Sequence, residues 1–248
     1  MTRLFLPTRL FPGIIALSIL THPAASVAQM PTPSLPTILH LKDVPVGSFA
    51  TYRVNMPDQA PMRQKVSVVG RSDKGASIEI QVGDEGAASK RTILVRIDLV
   101  FKNDATWTPS TMAIQVGENK AMALPAQLPS YGSLFQLIDR NTLGKPETLK
   151  VAAGTFKTRR FEPKGATKIA WMSENVPPFG LVKMSEGRAG ATVDMELVER
   201  GAGAKPVLVG ASLPFNPGEL MQQMAAMQGH AAGAPRPLKP KPTPKPKP

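Results

Sequence analysis

The chain has 248 residues, with 30 Lys and Arg against 18 Asp and Glu, a formal net charge of +12 and no cysteine. Disulfides, thiol nucleophiles and thiolate metal sites are therefore excluded, and stability has to come from an apolar core. Its three histidines, His22, His40 and His230, all lie towards the chain ends, which leaves no histidine on the central scaffold for a nucleophile–base arrangement.

Residues 1–28 carry the three parts of an export signal. Arg3 and Arg9 supply positive charge, Phe11 to Leu20 is a short apolar run, and Ser26-Val27-Ala28 supplies small residues at a cleavage site. The apolar run is about half of the roughly 20 residues that a membrane span needs. The expected location is periplasmic or secreted after cleavage near Ala28, a retained anchor being the other reading. Residues 29–45 contain several prolines and read as an extended arm.

From residue 46 to residue 200 the apolar period is two, the period of half-buried strands. Strands are expected near Gly47 to Asn55 and around Val66 and Val68. The turn at Arg71 to Gly75 leads into Ile78, Ile80 and Val82, and the turn at Gly83 to Gly86 leads into Ile93, Val95, Ile97, Leu99 and Phe101. Trp107 to Val116 follows, with Pro109 marking an edge or a bulge. The alternation stops over residues 121–146, where the spacing of Leu134, Leu137 and Ile138 predicts a short helix within Ser130 to Arg140. Further strands are expected at Glu147 to Val151, Thr155 to Glu162, Lys168 to Ser173, Phe179 to Ser185 and Thr192 to Arg200. Nine or ten strands joined by short turns form antiparallel neighbours. The fold class is mainly β: a strongly curved antiparallel sheet, a half-barrel, with one or two short helices and disordered termini.

Residues 201–234 read as a linker with a short Met-rich amphipathic helix. Asn216 is its cap, Pro217 its first residue and Glu219 its third, with Leu220, Met224 and Met227 on one stripe. Residues 235–248, PRPLKPKPTPKPKP, read as a stiff polyproline-II rod with a line of positive charge. Its lysines Lys239, Lys241, Lys245 and Lys247 suit contact with an anionic envelope polymer or a membrane surface, the other reading being a solubilising end. The few aromatic residues do not interleave with Lys and Arg, so nucleic acid is not an expected partner.

One stretch carries a resemblance. Ala153-Gly154-Thr155-Phe156, Trp171-Met172-Ser173 and the run from Val176 to Lys183 (VPPFGLVK) make residues 149–200 similar to the bacterial envelope domains of the lipoprotein-carrier type. The resemblance implies a curved sheet wrapped around one or more helices, with a concave apolar side that holds acyl chains in the true carriers.

Four residues are the candidate lining of such a ligand side. Trp107 and Trp171 line a hollow or fill a core, Phe179 stands at its mouth or in a strand connector, and Arg159 or its neighbour Arg160 points inward. Met221, Met224, Met227 and His230 recur every three residues with ligand types suited to Cu(I), although steps of three spread them around a helix. The outward carboxylates Glu79, Asp98, Asp194 and Glu196 read as solvated sheet-face groups. Together these features imply a non-catalytic protein without a cofactor. Three readings stand: a module binding an apolar or lipid-like ligand, an envelope interaction protein with a solid sheet, and a copper-binding protein.

Overall fold

The computed structural model describes residues 35–37, 41–57, 60–84, 92–102, 107–125, 135–137, 144–162, 168–187 and 192–232. The expected export signal, most of the arm and the Lys-Pro segment lie outside the described residues.

Eleven strands form one antiparallel sheet. They are β2 (Phe49–Asn55), β3 (Met62–Ser72), β4 (Gly75–Asp84), β5 (Ile93–Phe101), β6 (Trp107–Val116), β7 (Met122–Leu124), β9 (Lys145–Val151), β10 (Gly154–Phe161), β11 (Lys168–Met172), β12 (Leu181–Glu186) and β13 (Val193–Gly201). The order across the sheet is β7-β6-β5-β4-β3-β2-β13-β12-β11-β10-β9. Its first and last long strands therefore meet in the middle, and its two edges come from the middle of the chain. The sheet is not closed.

The pattern of two in the sequence becomes two faces. Ala50, Val66, Ile80, Val95, Ile114 and Met122 are direct cross-strand neighbours from β2 to β7, and all are buried. Ala170, Met184, Met195 and Val54 continue that face across β11, β12, β13 and β2. One residue along, the row Trp171, Lys183, Glu196, Arg53 and Arg63 lies on the opposite, outer face. A shift of one residue in any pair would exchange these rows, so the buried face fixes the register.

The sheet bends hard. The turn between β9 and β10 reaches β13, where the Ala153 amide donates to the Leu197 carbonyl at 3.3 Å. A bulge between Leu197 and Glu199 breaks the regular ladder to β2 at that point. Tyr52 is wholly buried on the core face, and its hydroxyl donates to the Leu181 carbonyl at 3.1 Å. Burial pushes its phenol well above the usual range.

The helix α1 (Pro217–Ala232) packs on β6, with Leu220 and Met224 buried in the core and Met227 half-buried against it. The Asn216 side chain accepts the Glu219 amide at 3.2 Å, so the cap expected from the sequence forms. The helix runs four residues past the expected end near Gln228.

Two expectations are corrected. The sheet has eleven strands rather than nine or ten. Phe135–Leu137 is a strand, β8, within the predicted helix of Ser130 to Arg140. It pairs in parallel with β1 (Leu35–Thr37), inside the arm read as extended. A stripe spaced by three and four over so few residues does not separate a helical turn from a short apolar strand once a partner strand is at hand. The arm also ends in a 3-10 turn, Leu41–Asp43, whose buried Leu41 anchors it to the core. The Arg71 guanidinium donates to the carbonyls of Leu41, Lys42 and Val44, which holds that turn against the β3–β4 hairpin. Pro109 lies beside a register shift between Asp98 and Leu99, as the bulge reading required.

If α1 is part of the core, Leu220→Ala should destabilise the fold by about 2–5 kcal/mol in urea denaturation, whereas the exposed Met221→Ala should change it by less than about 0.5 kcal/mol.

Candidate functional site

The outer face of β4, β5 and β6 carries the most developed polar arrangement among the described residues. It follows from the ladder. Ser67, Glu79, Arg96 and Ala113 form one cross-strand row, and Ser77, Asp98 and Thr111 form the next.

Asp98 is the hub of its row. Ser77 Oγ donates to one carboxylate oxygen at 2.6 Å and Thr111 Oγ1 to the other at 2.6 Å. Arg96 Nε stands 3.4 Å from the first oxygen, and Ser110 Oγ donates to the Asp98 carbonyl at 3.0 Å. Partial burial raises the carboxyl pKa. The hydrogen bonds from Ser77 and Thr111 and the charge of Arg96 outweigh it and hold the group below the usual carboxylate range. A shallow depression of about 390 Å³ opens beside it, with Arg71, Lys74, Ser77, Asp98 and Ser110 in its lining.

Glu79 performs a different task. It is only 3% exposed, although it sits on the outer face. Its cover is the chain after β13, residues 202–215, which crosses the outer face as a strap. One Glu79 oxygen accepts the Val207 amide at 2.8 Å and the other accepts the Leu208 amide at 3.1 Å. Arg96 Nη1 donates to the Leu208 carbonyl at 3.1 Å. The Leu208 side chain, 4% exposed, is buried with Leu94 and Ala121 against Ala113. The strap begins where the Ala204 amide donates to the Gly47 carbonyl at 2.9 Å. There Gly47 takes a φ of +89°, and a Cβ on it would approach the Gly203 nitrogen to 3.0 Å, so the close crossing requires glycine. The strap ends on the edge strand β7. Leu213 exchanges backbone hydrogen bonds with Ala121 and Ala123, both at 2.8 Å, and so covers an edge that would otherwise be open.

The reading of Glu79 as a solvated carboxylate is thus corrected. Alternation placed it on the outer face, but the cover comes from a segment more than a hundred residues away. The other outward carboxylates also hold structure: Asp194 accepts from Ser185 at 2.6 Å and Glu196 accepts the Ala152 amide at 3.3 Å. In the sequence this clasp of Glu79 and the strap is marked only by the short apolar run Val207-Leu208-Val209, which has nothing local to cover.

The candidate ligand residues do not converge. Trp107 is half-buried at the end of the core, opposite Phe101 on β5. Phe179 is 1% exposed in the core, beyond the cis Pro177–Pro178 bond, rather than at a mouth. Trp171 lies on the outer face. Its indole nitrogen donates to Glu147 at 3.0 Å, with the Arg160 and Lys183 cations each 5.7 Å from the ring centre. Arg159 is exposed, and Arg160 pairs with Glu162 at 2.9 Å. On α1, Met221 is exposed, Met224 is buried and Met227 is half-buried, so the Met residues are split between core and surface. His230 falls on the helix, and its side chain lies outside the described residues, as do Lys239, Lys241, Lys245 and Lys247. No group of three or more His, Cys, Asp or Glu side chains able to hold a metal occurs among the described residues.

Neither a protein-family model nor a curated protein matches this chain. Among solved structures it is similar to a hypothetical protein, CT021, from Chlamydia trachomatis, with 10% identity and a TM-score of 0.38 over 68% of this chain and 94% of that one.

Two outcomes follow from the clasp. Glu79→Ala leaves two strap amides without their acceptor and should cost about 1–3 kcal/mol. Hydrogen exchange at Val207 and Leu208 should accelerate, while amides in β12 stay protected. For Asp98, the folded pKa lies below the unfolded one, so its stabilising effect is present above about pH 4 and is lost as the pH falls further. Urea midpoints should drop with acidification in the parent chain, and Asp98→Asn should flatten that dependence.

Proposed function

We propose that this chain is a non-catalytic interaction protein of the bacterial envelope, in which the sheet is a solid support and the basic C-terminal segment makes the contacts. The observation that carries this reading is the helix packed on the apolar face. Side chains from β2 to β7 and from β10 to β13 meet Leu220 and Met224 of α1 in one buried cluster. The chain's own helix takes up part of the side on which a carrier would hold its ligand.

Two further features support it. The outer-face carboxylates are committed to structural hydrogen bonds, with Glu79 and Asp98 each bound by at least two donors. The docked helix also leads directly into the Lys-Pro segment, so anchoring α1 fixes the root of a positively charged line. Lysines close to an anionic surface contribute about 1 kcal/mol each, and salt weakens the attraction.

A second reading keeps the half-barrel as a module for an apolar or lipid-like ligand. What favours it is the nature of the cover: α1 meets the sheet chiefly at β6 and seals it with methionines, which repack readily. An apolar ligand would then take the place of the helix.

The two are separable. Under the first reading the protein sediments with vesicles containing phosphatidylglycerol, and changing Lys239, Lys241, Lys245 and Lys247 to Gln weakens this by roughly tenfold or more. Equal binding by that variant would remove the tail from the account. Saturable uptake of a fluorescent fatty acid by the delipidated chain would move the assignment to the second reading.

A further inference from the structure

Five large apolar side chains stand exposed among the described residues: Val46, Val100, Val207, Val209 and Met221. Single exposed valines are ordinary. Two of these, however, belong to one feature. Val207 (59% exposed) and Val209 (78% exposed) flank the buried Leu208 on the strap. Leu208 is buried between two exposed valines, so its inward seat leaves both of them facing solvent. Glu79 and Arg96 hold the backbone on either side of that seat. The result is a fixed apolar ridge, which loses little conformational freedom on contact.

We propose that this ridge, Val207 and Val209, is the apolar part of a contact with an anionic lipid bilayer. Positive charge in the same stretch of sequence is what selects that partner. Exposed Lys205 stands two residues from Val207, the chain carries +12, and the Lys-Pro segment follows on the same C-terminal stretch. Small apolar tips beside lysine are suited to the boundary between head groups and acyl chains, where the valines lose water and the ammonium groups meet phosphate. The proposal rests on the reading of the basic segment as a surface contact and adds the apolar half that charge alone does not supply.

The test uses the full chain, vesicles of phosphatidylglycerol with phosphatidylethanolamine, and vesicles of phosphatidylcholine alone. Val207→Ser with Val209→Ser changes only exposed side chains and leaves Leu208 and Glu79 in place, and an unchanged urea midpoint shows that the fold is kept. The parent chain should bind the anionic vesicles and retain part of that binding at high salt. The double serine variant should bind about tenfold more weakly and lose the salt-resistant part. Binding equal to the parent in that variant overturns the ridge, while loss in the four-lysine variant at the same time leaves the basic-segment reading standing. Equal binding in the four-lysine variant with loss in the valine variant does the reverse. Absence of vesicle binding by the parent, or capture of the ridge by a protein instead, overturns the lipid assignment.

Discussion

The pairing of β2 with β13 governs the architecture. It joins the first and last long strands of the sheet at its centre and so forces the edges, β7 and β9, to come from the middle of the chain. It also decides where the C-terminal segment starts. Leaving β13 beside β2, the chain is already over the middle of the sheet, and the Gly47–Ala204 contact turns it onto the outer face. Residues 202–212 then cross the sheet, and Leu213 pairs with the β7 edge. The same pairing closes a very long loop in sequence, a cost in chain entropy that the continuous buried row from Ala50 to Met122 and from Val54 to Ala170 offsets.

The clasp shows how one chain covers both faces of a single sheet. A sheet buried on one side needs helices or a second sheet there. α1 supplies part of that cover, while the strap seals an outer patch centred on Leu94 and pairs with the β7 edge through Leu213. The other edge is protected differently. Among the described residues β9 presents Lys145, Pro146 and Lys150, charged or lacking an amide, which discourages pairing with a stray strand. A carboxylate is an apt anchor for the strap because its two oxygens take two successive amides, as they do here at Val207 and Leu208. An amide or hydroxyl has fewer acceptor sites to offer.

Much of the sheet was legible because the register is written in a period of two. Ile93, Val95, Ile97 and Leu99 name their own face, and the turns at Gly75 and Gly154 mark where the chain reverses. The cap at Asn216 was legible for the same reason, since its hydrogen bond spans only three residues. What failed to show were pairings between distant segments. β1 with β8 is a parallel match of two three-residue strands, too short to announce itself, and the cover over Glu79 depends on a segment 128 residues further along. The candidate ligand residues fared in the same way. Parity within β11 ties Trp171 to the face opposite Ala170 and Met172, but only the register with Lys183 and Glu196 reveals which face that is.

Arg96 connects these parts. Its guanidinium touches the Asp98 carboxylate on one side and the Leu208 carbonyl on the other, and it lies opposite Glu79 on the adjacent strand. The Asp98 row keeps that carboxylate charged, the charge orients Arg96, and Arg96 helps to seat the strap that turns Val207 and Val209 outward. A chain of this kind needs no movement to matter. Because the hydrogen bonds of Asp98 come from its direct cross-strand neighbours Ser77 and Thr111, the position of the outer ridge is set by the ladder of the sheet itself, through two polar side chains and one buried leucine.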